Sequence, residues 1–335
     1  MSLTFVTIVI LVLGVVFVNG WTDAPNAIAT VVSTRAMHPK KAVIMAAIFN
    51  FLGLFCMTML NSKVASTIVN IVNFSSGTES QVALAAGLFA IVVWAVSAWY
   101  FGIPTSESHA LIAGVTGAGI SITGFSAINL SEWNKVLYGL VISSVIGALF
   151  GYLTITLVNF LFKNIERHKA NKFFTGAQIS SGAAMAFLHG AQDGQKFLGV
   201  FMLGTFLAKG QEIPATFNIP LYSIVLFSVV MGIGTSIGGY KIIKAVGMDM
   251  VKLDKHEGFA ADTAAAICLL FSTIIGIPLS TTHTKTTAIM GVGAAKRMSN
   301  VNWIIVKEMI LAWILTFPGC IIIGYLMSKL FMFIF

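Results

Sequence analysis

Two short segments place a carboxylate where an apolar chain has no packing use for one. Residues 19–23 read NGWTD and residues 189–193 read HGAQD, and each aspartate interrupts a long uncharged stretch. Asp23, with Thr22 and Asn26 beside it, offers an anionic oxygen and neutral oxygens. Hard donors of this kind suit a small alkali or alkaline-earth cation. Asp193 and Gln192 offer the same chemistry from the second segment. The blander reading is that each aspartate caps a half-helix by accepting backbone N–H bonds. An ionised group at membrane depth is costly and marks function by default, and one carboxylate can do both.

A second pair is closer in sequence. GIPTSESHALIAGVTGAG at 102–119 matches GIPLSTTHTKTTAIMGVG at 276–293, with Gly, Ile, Pro, Ser, His, Gly and Gly recurring at the same spacing. Pro104 is followed by Thr105, Ser106 and Ser108, and Pro278 by Ser280, Thr281, Thr282 and Thr284. Proline favours the first turn of a helix, where unpaired N–H groups and the positive dipole end hold an anion and hydroxyls add donors. The segments therefore read as a pair of anion cups, against the alternative of hydroxyl-rich kinks that pack helices. His109 and His283, five residues after the prolines, read as supporting hydrogen-bonding groups rather than as a metal pair or proton relay. Glu107, Asp262, Lys196 and Lys285 are further ionisable groups in or near apolar stretches, and Glu107 with Lys285 is one candidate neutralising pair.

The elements that position these residues must lie in a membrane. Of 335 residues, 57% are hydrophobic and 10% charged, a composition outside that of soluble domains. Uncharged runs at 1–22, 42–62, 80–106, 108–131, 136–162, 173–192, 213–240, 263–284 and 309–328 each approach or exceed the ~20 residues a spanning helix needs. The first run lacks a positive n-region and a small-residue cleavage site, so it is expected to remain as a membrane element rather than leave as a signal peptide. The net charge of +8 is distributed as topology rather than as a nucleic-acid surface. With the N-terminus outside, Arg35, Lys40, Lys41, the 163–172 cluster, Lys241, Lys244, Lys252, Lys255, Lys296 and Arg297 fall inside, whereas Lys63, Lys135 and Lys209 fall outside. Cys56, Cys268 and Cys320 lie in apolar runs without CxxC spacing, which indicates packing residues and neither disulfides nor a thiolate metal site.

The motifs recur in the same order, and GYL at 151–153 recurs at 324–326. The predicted fold is an all-α polytopic membrane protein. It has two inverted-topology repeats of about five membrane elements each, with broken helices and helical hairpins. The first repeat is placed at 1–162, a short basic cytoplasmic connector at 163–178 and the second repeat at 179–335. Each half is expected to hold a broken first helix, a second helix, a hairpin bearing the Pro-x-Ser motif and a last helix. Both termini are predicted outside.

At these residues the chain resembles the inorganic phosphate transporter family, whose duplicated signature has the form Gly-Ala-Asn-Asp-x-x-Asn-Ala. NGWTDAPNAIATVVSTRAM and HGAQDGQKFLGVFML are similar to its bacterial members, and IPTSESH and IPLSTTH to its Pro-x-Ser-x-x-His element. The resemblance runs from near Phe5 to the C-terminus. It implies a secondary active transporter of the cell membrane that imports inorganic phosphate by symport with a cation, sodium first and a proton as the alternative. Some bacterial relatives carry phosphate as a neutral metal complex.

Carried over residue by residue, the signature falls on Asp23, Asn26, Ala27 and Asp193, with the hydroxyl elements at Ser106 and Ser280. Sodium is expected at Asp23, Asn26 and Asp193, and phosphate between the hairpin ends. A homodimer is plausible for such a transporter, with no cofactor beyond the transported ion and no nucleic-acid partner. Thr22 and Gln192 depart from the signature asparagine, and Lys196 stands where the first copy has Asn26. The rival classes are a passive anion channel built from broken helices and a membrane hydrolase using Ser280 and His283. The hydrolase is disfavoured because no nucleophile-elbow pattern is present and a single active site needs no second Ser–His pair.

Overall fold

The computed structural model describes residues 3–75, 77–214 and 216–334. The chain opens with α1 (Leu3–Thr22) and α2 (Pro25–Ser33), followed by α3 (Pro39–Leu60), the short α4 (Lys63–Val69), α5 (Thr78–Phe101), α6 (Glu107–Thr123) and α7 (Leu130–Phe162). It continues with α8 (Arg167–Lys209), α9 (Leu221–Ser236), α10 (Tyr240–Lys244), α11 (Lys255–Ile275), α12 (Thr281–Lys296) and α13 (Trp303–Ile334). Among the described residues the β pairings are two isolated bridges, Val72 to Ile128 and Val251 to Val301. Seven segments among them are long and apolar enough to span a bilayer, with α1 and α2 counted together, and a pair bent by 66° from Leu221 to Asp249 could add an eighth. The protein is a multi-pass, all-helical membrane protein.

The break between α1 and α2 follows from Pro25. Proline donates no N–H, so Trp21 O loses its usual partner four residues on. The neighbouring bonds shift register to match: Asp23 N and Ala24 N both reach Asn19 O, at 2.9 and 3.1 Å, while Asn26 N reaches Asp23 O at 2.9 Å. The second copy behaves differently from expectation. Residues 189–193 lie inside α8, a helix of 43 residues that is not interrupted there. The position matching Pro25 is Gln195, which keeps its N–H, so nothing breaks the ladder. The same helix begins at Arg167, so most of the 163–178 segment is its basic first turns.

The two hairpins turn alike. α5 ends at Gly102 (φ 71°) and α11 at Gly276 (φ 92°), left-handed positions that glycine adopts without Cβ strain. Pro104 and Pro278 then lie two residues before the N-caps Ser106 and Ser280. They sit in the link that stops the preceding helix, not in the first turn of the next as the sequence implied.

Packing runs both within the halves and between them. α6 lies against α13 and α12 against α7, α1 packs on α5 and α9, and α8 packs on α11 and α3. Matching glycines stand at close crossings. A Cβ on Gly53 would stand 1.8 Å from Phe187 O, and one on Gly234 2.2 Å from Phe17 O. Small residues at helix crossings let backbones approach where lipid provides no hydrophobic drive for association. These crossings hold the middle of α8 against α3 and the end of α1 against α9.

Candidate functional site

Four chain segments converge at the centre: the end of α1 with the start of α2, the start of α6, the middle of α8 and the start of α12. Asp23 and Asp193 come together although 170 positions separate them, and they are 2% and 0% exposed. Asp23 accepts from Asn26 Nδ2 at 2.7 Å and from the Thr282 hydroxyl in a short bond. Asp193 accepts from Lys196 Nζ at 2.6 Å, Ser108 Oγ at 3.2 Å and Asn19 Nδ2 at 3.4 Å. Thr281 Oγ1 bridges the two, 3.0 Å from Asp193 Oδ2 and 3.5 Å from Asp23 Oδ2. Each aspartate thus receives a hydroxyl from the opposite half's hairpin, Thr282 on Asp23 and Ser108 on Asp193, and Asp193 receives Thr281 from its own half as well.

His189 completes the cluster. Its Nδ1 lies 2.8 Å from Asn50 Oδ1, and its Nε2 faces Asp193 Oδ2 at 3.4 Å and Asp23 Oδ2 at 4.0 Å. Ligand atoms of Asp23, His189 and Asp193 lie within 4.8 Å of one another, which is compact enough for one metal ion. Glu107 brings a third buried carboxylate. It accepts from the Thr22 hydroxyl in a short bond, and its Oε2 has no hydrogen-bond partner among the described residues. Acid therefore outnumbers base here: Asp23, Asp193 and Glu107 face the single ammonium of Lys196. Like charges in a low-dielectric site repel strongly, so the arrangement favours a bound cation or proton.

Around this acidic group stand the helix N-termini. Ser106 and Ser280 cap α6 and α12 by accepting from His109 N at 3.3 Å and His283 N at 3.2 Å. The earlier first-turn N–H groups have no acceptor within their own helices and, with the dipole, present positive ends at the site. Thr105 contributes its carbonyl, which accepts from Thr282 Oγ1 at 3.2 Å.

Other residues singled out from sequence make no hydrogen bond to Asp23 or Asp193. Thr22 bonds Val18 O at 2.7 Å as well as Glu107 and does not touch Asp23. Gln192 turns toward α11, donating to Ser272 Oγ at 2.8 Å and to Thr273 Oγ1 and Ile277 O at 3.3 Å. His109 and His283 meet edge to face at 4.7 Å between ring centroids, with His283 stacked on Trp313 at 3.7 Å. Neither ring nitrogen of His283, nor Nδ1 of His109, has a hydrogen-bond partner among the described residues, so His283 serves here by packing. The Glu107–Lys285 pair does not form. Lys285 is instead buried against Asp262, with Thr30 donating to both Asp262 oxygens at 2.7 and 2.9 Å.

Residues 19–324 match the family described as PHO4, Phosphate transporter family. The chain belongs to the phosphate transporter family. A member from Bacillus subtilis (strain 168), named a probable low-affinity inorganic phosphate transporter, is 37% identical over 93% of this chain and 92% of its own. A protein of the same name from Rhizobium meliloti (strain 1021) is 35% identical over 92% and 91%. A solved structure described as the sodium-dependent phosphate transporter shares the fold, with a TM-score of 0.89 at 22% identity over the full length of both chains. For a phosphate transporter family member, the convergence of both repeated motifs on one buried cluster is the central structural fact.

Proposed function

We propose that the protein is a secondary active transporter that imports inorganic phosphate by symport with a cation, sodium being the first choice. The observation that carries this reading is the contact between the two kinds of motif. Each signature aspartate is hydrogen-bonded by a hydroxyl at the N-terminus of the opposite half's hairpin helix. A cation held at Asp23, Asn26 and Asp193 would neutralise the carboxylates. It would also add positive charge beside the helix ends and hydroxyls of Thr105, Ser106, Ser108, Ser280, Thr281 and Thr282, which would hold phosphate. Binding of either solute then raises the affinity for the other, and that reciprocity is the thermodynamic content of symport. Family membership and the described function of the structural neighbour support the same reading.

The halves are proposed to insert with opposite orientations in the cell membrane and to rock about this fixed centre, as inverted repeats permit. The exchanged packing of α6 on α13 and α12 on α7 supports that arrangement. A proton-coupled version is favoured by one observation, the carboxylate of Glu107, which is buried without a cationic partner.

Labelled phosphate uptake into proteoliposomes separates these readings. An inward sodium gradient, and not a proton gradient, is expected to drive accumulation in the wild type. Asp23→Asn should insert normally and lose gradient-driven uptake by ten-fold or more, since removing one charge-assisted contact costs on the order of 1.5–3 kcal/mol. Undiminished uptake by that variant would sink the assignment of Asp23. Drive by protons alone would move the coupling to the carboxylates as proton carriers, and equilibration without any gradient dependence would indicate a channel.

A further inference from the structure

We infer that the ammonium group of Lys196 is a tethered substitute for one of two coupling cations, so that only the Asp23 half of the site exchanges a cation with solution. The inference rests on the cation-coupled reading above and specifies its stoichiometry.

Aligning the repeated motifs pairs Asp23 with Asp193, Asn26 with Lys196, Ser108 with Thr282 and Thr105 with Leu279. In the second half, Lys196 Nζ lies 2.6 Å from Asp193 Oδ1, 2.6 Å from Ser108 Oγ and 2.5 Å from Leu279 O. An ammonium has three donors and no acceptor, and all three are spent here. In the first half the corresponding oxygens are Asp23 Oδ1, Thr282 Oγ1 and Thr105 O. These also converge: Thr282 Oγ1 bonds Asp23 Oδ1 and, at 3.2 Å, Thr105 O.

No ammonium enters that set. Its counterpart there is Asn26, whose Nδ2 reaches Asp23 Oδ1 at 2.7 Å and Thr282 Oγ1 at 3.3 Å. Asn26 Oδ1 has no hydrogen-bond partner among the described residues, in a side chain only 2% exposed. One carboxylate, one hydroxyl and one backbone carbonyl form a donor set for a small hard cation, and a half-turn of the Asn26 amide, which exchanges Nδ2 for the unpartnered Oδ1, adds a fourth oxygen. The same set minus the amide, in the other half, is filled by a side-chain charge.

A lysine serving only to neutralise Asp193 would need one contact, and its long stem would normally carry the charge toward water. Lys196 is 0% exposed, and each donor falls on the counterpart of an oxygen around Asp23. The consequence is one transported cation fewer than a symmetric pair of half-sites would move, because the second positive charge is covalently fixed.

The test is equilibrium binding of labelled sodium to the purified full chain in the presence of inorganic phosphate. Wild type is expected to bind about one ion per chain and to show a hyperbolic sodium dependence of phosphate uptake. Asp23→Asn should bind none. Lys196→Asn, which recreates the Asn26 arrangement, should bind about two and make the sodium dependence sigmoidal. Binding of two or more ions by the wild type overturns the inference, and so does a folded, monodisperse Lys196→Asn variant that still binds one. If Lys196→Asn does not fold, the wild-type count alone decides. No sodium bound by wild type, together with uptake indifferent to a sodium gradient, would instead mark failure of the sodium-coupled reading on which the inference stands.

Discussion

The buried ion pair between Asp262 and Lys285 gives a sharp test of how the two halves differ. Both groups are 0% exposed, and the pair is supported by Thr30, with Gln178 at the edge of bonding distance, 3.5 Å from Asp262 Oδ2. At the same distances from the turn glycine, the first half carries Leu88 and Leu111, which are also fully buried. Removing one partner of such a pair leaves an uncompensated charge and costs about 3–5 kcal/mol, whereas replacing both with well-packed apolar side chains is often neutral or stabilising. Lys285→Leu and Asp262→Leu should therefore each lose about 3–5 kcal/mol. In the double variant the main remaining loss is the acceptor of the Thr30 hydroxyl, worth about 1 kcal/mol once that hydroxyl turns to a carbonyl of its own helix. The double variant should thus fall within about 2 kcal/mol of wild type, far from the roughly 6–10 kcal/mol that additive losses would give. Unfolding of the purified protein by graded denaturing detergent, measured for all four proteins, reads this directly. A double variant no more stable than the weaker single one would refute the reasoning and show that Asp262 is held by groups other than Lys285.

Two further outcomes follow from local geometry. Gly53→Ala should cost about 1–3 kcal/mol or more, because its Cβ would meet Phe187 O at 1.8 Å and force α3 from α8. Gly14→Ala, with nothing within 4 Å, should melt with wild type, and equal melting of the two variants would contradict the crossing described. Ser280→Ala should lose about 1 kcal/mol of cap stability and also raise the phosphate concentration for half-maximal uptake several-fold. Lowered stability with unchanged phosphate affinity would reduce Ser280 to a cap.

The membrane class was legible because uncharged runs of spanning length have one physical explanation. The meeting of Asp23 and Asp193 was legible because a carboxylate in such a run needs a reason and a repeat supplies a partner. The hairpins were readable from Gly102–Pro104 and Gly276–Pro278, although the prolines stop a helix rather than start one. What escaped was contact between distant elements. His189 lay inside a quoted motif, yet nothing in its neighbours indicated that Nε2 would face both aspartates. Lys285 could have met Glu107 or Asp262 with equal reason, since helix rotation, not spacing, chose between them. The uninterrupted α8 had a visible signal in the absence of a proline after Asp193, and motif similarity masked it.

The contrast between α8 and the α1–α2 pair also has a mechanical consequence. At about 1.5 Å per residue, α8 is a strut longer than the ~30 Å hydrocarbon layer, carrying Asp193 and Lys196 in its middle and Arg167 at one end. Any tilt moves all three as one body. Asp23 sits instead beside Pro25, where Trp21 O loses its helical donor, so the backbone around this carboxylate resists bending less than the middle of α8 does. One side of the site is thus stiff and continuous with the protein's basic end, and the other has its weakest backbone link at the carboxylate itself.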